Sequence, residues 1–200
     1  MTPFTAIASA AVRLPLSNVD TDQLLPARFM SQPRSDGYGD FLLHDLSRDD
    51  DGNLRPDFAL NAPEAKGAQV LVARRNFGGG SSREGAVYAL VDHGFRCVIA
   101  PSFGDIFSNN AANNGLLTAQ AAEDDVEFLL AAEGDVTVDL RDCTIHAASQ
   151  RIAFEINPVK REKLLNGWED VDLTLSRKTM IDAFSDRDMH RRPWLVPAQR

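Results

Sequence analysis

Three patterns in the chain predict an α/β fold with a mixed sheet, a parallel strand–helix–strand centre and an antiparallel C-terminal hairpin. Residues 68–73 form a short apolar, β-branched run that leads through glycines into a helical pattern. Beyond Gly134 the apolar residues recur with period two, as in a half-buried antiparallel pair. Between these regions, candidate helices close on single glycines.

In chain order, residues 1–11 read as a first strand, since no Lys or Arg precedes their small apolar residues as a secretory signal would require. Residues 31–66, rich in Asp, Gly, Pro and Asn, interrupt the periodic signal for long enough to predict an extended functional loop, taken as 28–66. The strand at 68–73, the turn at 76–80 and a helix over 82–93, with Val87, Leu90 and Val91 on one face, come next. Gly94 occupies the helix C′ position, and a second strand at 95–100 stops at Pro101, completing a right-handed βαβ unit.

Ser102 with Asp105 is expected to cap a helix running to Asn113 and closed by Gly115, and 123–132 is a further helix closed by Gly134. Val136, Val138 and Leu140, then Ile152, Phe154 and Ile156, give the hairpin, after which Asn157-Pro158 opens a helix ending at Asn166-Gly167. A single domain over 1–200 is expected, with a flexible basic tail at 187–200.

The 200 residues and 44% apolar content suit one sizeable core. A net charge of −8, from 29 acidic and 21 basic residues, would repel a phosphate backbone, so nucleic acid is not an expected partner. No apolar run reaches the roughly 18 residues of a membrane helix, so a soluble, cytoplasmic protein is expected. Cys97 and Cys143 read as unpaired thiols, Cys97 as a small buried hydrophobe. Two thiols cannot supply the usual ligand set of an iron–sulfur cluster, so no metal site is expected here and any cluster must be held by another chain. The acidic stretch 47–53 is an exposed turn rather than an EF-hand. Counted from Asp49, its Gly52 is fourth instead of sixth, and Leu60 stands where a bidentate Glu belongs.

The segment Gly78-Gly79-Gly80-Ser81-Ser82-Arg83-Glu84 puts two hydroxyls and a guanidinium at a helix start, where unpaired N–H groups and the dipole favour a carboxylate. The same spacing fits a capping box from Ser81 to Glu84, which needs no ligand, and the glycines would serve a plain strand-to-helix turn equally well. Nucleotide motifs fit badly: a dinucleotide fingerprint would need Gly where Arg83 stands, and a P-loop would need Lys where Ala86 stands.

Asn18-Val19-Asp20-Thr21-Asp22-Gln23, the 76–84 segment and Gly94 to Phe107 together resemble the small-subunit family of isopropylmalate dehydratases, in the aconitase superfamily, and a looser similarity runs on to Leu175. The resemblance implies the swivelling β/β/α domain of the aconitase type and a hydro-lyase half-enzyme of leucine biosynthesis. Its [4Fe–4S] cluster would be carried by a separate large subunit and its substrate would be a small dicarboxylate hydroxy acid. It further implies that Ser81 is the catalytic base, that Arg83 binds a substrate carboxylate, and that Ser82, Gly80, Thr21 and Asp22 line the substrate site. His93 and His146 match no catalytic position.

The family usually carries Cys where this chain has Gly79 and His where it has Gly85, which touches the walls of the site rather than its base and clamp. Two other functions follow as alternatives: the same chemistry on 2-methylmalate, citraconate or a homoaconitate-type acid, and a non-catalytic binding module with this fold. The apolar residues expected to read the substrate's substituent are Phe29, Met30, Tyr38, Phe41, Leu42 and Leu43 in the 28–66 loop.

Overall fold

A computed structural model describes residues 1–195, and its strands divide into two four-stranded sheets. The chain opens with β1 (Ala6–Ser9) and β2 (Ala11–Leu14), which Ala10 separates and which join different sheets. The one strand expected here is therefore two. A four-residue helix α1 (Thr21–Leu24) follows, held by a capping box in which Asp20 accepts from the Gln23 N–H and Gln23 returns a bond to the Asp20 N–H. The long loop is a succession of tight helical turns that includes α2 (His44–Ser47).

Next come β3 (Val70–Ala73), α3 (Gly85–His93), β4 (Cys97–Ala100), α4 (Asp105–Asn113) and β5 (Leu117–Gln120). Strands β2-β3-β4-β5 pair in that order, all parallel. Helix α5 (Glu123–Ala131) then leads to β6 (Val136–Asp139), β7 (Thr144–Ala147) and β8 (Gln150–Ala153), antiparallel strands in the order β1-β6-β7-β8. The parallel centre and the antiparallel hairpin are both present, each in its own sheet. The chain ends in α6 (Pro158–Asn166), α7 (Asp170–Ser176) and α8 (Lys178–Arg191).

The burial pattern explains the layering. Along β3, Leu71 and Ala73 join the core beneath α3 and the loop, whereas Val70 and Val72 join the core shared with the second sheet. Cys97 and Ile99 of β4 likewise face the second sheet while Val98 and Ala100 face the first core. A parallel sheet covered on both faces reads as a continuous apolar run, and each Val or Ile so buried contributes about 1.5–3 kcal/mol. The second sheet is one-sided: Val136, Val138 and Ile145 are fully buried, whereas Thr137, Asp139 and His146 are not.

Several terminators act as the sequence predicts. Asn157 accepts from the Val159 N–H at 2.9 Å to cap α6, and Gly94 and Gly167 take left-handed conformations at the ends of α3 and α6. The basic end is helical as far as Arg191, since its first turn completes α8. Of the tail expected to be flexible, residues 196–200 lie outside the described residues. No described helix is long and apolar enough to cross a membrane.

Candidate active site

The glycine turn lies beyond the carboxyl ends of the parallel strands, where ligands bind in open α/β sheets. Isolated parallel bridges Asp20↔Gly79 and Phe77↔Phe103 carry the exits of β2, β3 and β4 forward side by side. Asn76, in a left-handed conformation at φ 60°, gives its backbone N–H to Ser102 Oγ at 2.8 Å and its side-chain amide to Asn18 Oδ1 at 2.9 Å. Ser102 was expected to cap α4, but its hydroxyl is committed to this bond, and Gly104 stands at the cap without a side chain. At Gly78 a Cβ would fall 2.2 Å from the Phe107 ring, and φ is +72°, so only glycine fits the turn there.

The capping box expected from Ser81 to Glu84 is not formed. Helix α3 begins at Gly85, three residues later than predicted, with Glu84 as an N-cap that makes no side-chain capping bond. Ser81, Ser82 and Arg83 occupy the irregular segment before the helix, because other partners hold their backbone. Thr21 Oγ1 accepts the Ser81 N–H at 3.0 Å, Gly79 O accepts the Thr21 N–H at 3.0 Å, and Asn110 Nδ2 reaches Ser82 O at 3.4 Å.

The structure brings together five of the six predicted site residues, four of them by direct contact. Ser81 meets Thr21, Arg83 forms an ion pair with Asp22, and Gly80 is placed so that a Cβ would lie 3.5 Å from Thr21 Oγ1. The sixth, Ser82, is exposed and joined to α4 through its carbonyl. Arg83, whose side chain is 28% exposed, stands at the positive end of the α3 dipole, an unfavourable place for a cation without an anion beside it. Asp22 supplies that anion. Its carboxylate faces the Arg83 guanidinium.

Asn76, Asn110 and Asn114, none of them among the predicted site residues, brace the turn. The last two are four apart at the end of α4, where Asn114 is the C-cap and its side-chain amide reaches back to the Asn110 carbonyl. His93 is exposed at the end of α3, where Gly39 O accepts from its Nδ1 at 3.1 Å and its ring stacks on Phe95.

The donor set does not fit an iron–sulfur cluster. Cys97 is fully buried, and desolvation pushes its thiol well above the usual range, while the half-buried Cys143 points to Leu140 O at 3.6 Å. Among the described residues no group of three or more His, Cys, Asp and Glu could hold a metal ion.

The fold and this turn define an aconitase-type domain: the family described as "Aconitase C-terminal domain" matches residues 1–124. The chain is 45% identical over 98% of its length to the whole of the "3-isopropylmalate dehydratase small subunit" of Rhodospirillum centenum. It is 42% identical, again over 98% of its length, to the whole of the protein of the same name from Dinoroseobacter shibae. A crystal structure of 3-isopropylmalate dehydratase (leuD) from Methanocaldococcus jannaschii superposes with a TM-score of 0.65 at 30% identity, over 89% of this chain and 98% of that one. The chain belongs to the 3-isopropylmalate dehydratase small-subunit family.

Proposed function

We propose that this chain works as the small subunit of a 3-isopropylmalate dehydratase, a hydro-lyase that interconverts 2-isopropylmalate and 3-isopropylmalate by loss and re-addition of water. The observation that carries this reading is the meeting of two segments 60 residues apart, in which Thr21 holds Ser81 and Asp22 holds Arg83 at the end of the parallel sheet. In this reading Ser81 takes the proton from the carbon beside a substrate carboxylate, and Arg83 grips that carboxylate with its fork. A serine hydroxyl is a weak base unless its alkoxide is stabilised, and the Arg83 charge and the start of α3 supply that field.

The partner is a large subunit, to which the [4Fe–4S] cluster is assigned because the donors of this chain do not suit one. Gly80 and Ser82 complete the wall on the substrate side, and residues 28–66 read the substituent that distinguishes one malate from another. Residues 1–200 act as one swivelling domain that closes over the partner's site.

The test is reconstitution. Purified alone, the chain is expected to be colourless and inactive, and to become active on isopropylmalate with the large subunit. Ser81→Ala should lower kcat by about 10²–10⁴-fold, the usual contribution of a positioned general base, with the complex still assembled. An iron–sulfur absorption band in the isolated chain would overturn the division of labour, and a near-normal kcat for Ser81→Ala would remove the base assignment.

A further inference from the structure

The segment from Ser81 to Glu84 is held alternately by two helices. From α1, Thr21 Oγ1 accepts the Ser81 N–H at 3.0 Å and Asp22 pairs with Arg83. From the end of α4, Asn110 Nδ2 reaches the Ser82 carbonyl at 3.4 Å and Asn114 Nδ2 donates to Glu84 Oε1 at 2.8 Å. Of these two α4 bonds the second is the better formed, since 3.4 Å lies beyond the usual N–H···O range. The bonds to Ser81 and Ser82 use their backbone, so they do not occupy the Ser81 hydroxyl.

Helix α4 is a firm support for this purpose. Its Phe107 and Ala111 are buried, and its Ser108 Oγ accepts from Lys160 Nζ of α6 at 2.8 Å while sharing a 2.9 Å hydrogen bond with Thr118 Oγ1 of β5. Asn113 accepts from Lys163, a second lysine of α6, which is only 3% exposed. Glu84, by contrast, is exposed and makes no side-chain capping bond for α3. We propose that Glu84 and Asn114 are positioning residues, whose bond ties the start of α3 to the end of α4 and so fixes where the turn presents Ser81. The inference rests on the reading of Ser81 and Arg83 given above. The bond acts through geometry rather than charge, since an amide oxygen at position 84 accepts from Asn114 as a carboxylate does. An exposed hydrogen bond adds little to stability, so its loss belongs in the rate. A misplacement of about 1 Å can cost about a hundredfold, and releasing one tether of four should cost less.

The experiment compares Glu84→Ala, Glu84→Gln, Asn114→Ala and the double alanine variant. Hydrogen exchange at the Ser81 amide and the urea midpoint are followed in the free chain, and kcat and KM are measured in the reconstituted complex. Glu84→Ala and Asn114→Ala are each expected to speed Ser81 exchange and to lower kcat about tenfold, with KM within about threefold because Asp22 still holds Arg83. The double variant should be no worse than either single one, since both remove the same bond. Glu84→Gln should bring kcat and exchange back to within about threefold of wild type, and the Glu84→Ala midpoint should stay close to wild type. Asn114 also bonds the Asn110 carbonyl of its own helix, so the two Glu84 variants carry the test if Asn114→Ala proves unstable. Wild-type exchange at Ser81 in Glu84→Ala, a Gln variant as impaired as Ala, or effects that multiply in the double would overturn the proposal. Ser81→Ala separates the two readings: a normal kcat there removes the base assignment, while exchange at Ser81 in the Glu84 variants still decides whether the bond to Asn114 holds the turn.

Discussion

Thr21 Oγ1 accepts the backbone N–H of Ser81 at 3.0 Å, and Thr21 itself is only 1% exposed. The position of the proposed base is therefore fixed from outside its own turn, by a helix start 60 residues earlier. That helix start is rigid because Asp20 and Gln23 close a reciprocal capping box around it.

Replacing Thr21 by Val keeps the shape and removes the acceptor. A buried donor left without a partner costs about 1–3 kcal/mol, so Thr21→Val should lower the urea-unfolding free energy by that amount and Thr21→Ser should recover most of it. Equal midpoints for Val and wild type would mean that the Ser81 N–H finds another partner.

The pair formed by Asp22 and Arg83 predicts a split between stability and kinetics. The Asp22 side chain is 56% exposed, so Asp22→Asn should cost less than about 1 kcal/mol in stability. Its effect belongs in the reconstituted enzyme, where a guanidinium no longer held in place should raise KM several-fold. Arg83→Lys should harm both KM and kcat, because a point charge does not replace a fork that binds in two places. Near-normal kinetics in both variants would separate the pair from substrate binding.

Much of this arrangement was legible in the sequence where the signal was local. Helix ends marked by Asn157-Pro158, Gly94 and Gly167, and the period-two strand that begins at Val136, lie where those residues put them, because capping and side-chain alternation act within a few residues; the second expected strand ends at Ala153, short of Phe154 and Ile156, and β7 stands between the two. Two features were not legible. The division into two sheets depends on Ala10, where the chain changes sheet with no break in its apolar pattern. The failure of Ser81 and Glu84 to cap α3 depends on Thr21 and Asn114, whose competing bonds come from 60 and 30 residues away. The motif resemblance gathered the right residues, while the pairing of Asp22 with Arg83 emerges only from the fold.

The loop residues expected to read the substrate divide into two sets. Tyr38, Leu42 and Leu43 are 8%, 2% and 0% exposed and belong to the core, so Leu43→Ala should cost about 2–5 kcal/mol of stability. Phe29 and Phe41 stack with ring centroids 4.2 Å apart and are only half-buried, and Met30 is 41% exposed. Exchanging these three for the residues of a relative that prefers a smaller malate should shift the kcat/KM ratio between isopropylmalate and methylmalate by about tenfold or more, within reach of the ~1–3 kcal/mol that one methylene provides. An unchanged ratio in a chain that still assembles would move the specificity elsewhere.

The two thiols should differ sharply towards an alkylating reagent. Burial raises the Cys97 thiol and denies it the thiolate form, so at about pH 8 native protein should be labelled at Cys143 alone, with Cys97 reacting only after denaturation. Rapid labelling of both in native protein would show that β4 opens to solvent.

Gly85 gives the site a constraint on how it can change through descent. A Cβ there would lie 2.9 Å from Leu25 Cδ2 and 3.6 Å from Tyr38 Cε2, so the residue that ends α1 and one side chain of the loop occupy the volume that a larger residue would need. A chain of this lineage that acquired His at position 85 would have to move Leu25 and Tyr38 at once, and a loop grafted from a His-bearing relative would leave a void above the glycine. A larger residue at position 85 is therefore expected to be tolerated better when Leu25 and Tyr38 change with it. Ancestral intermediates carrying one change without the other should be less stable than either end point, which sets the order in which substitutions could accumulate.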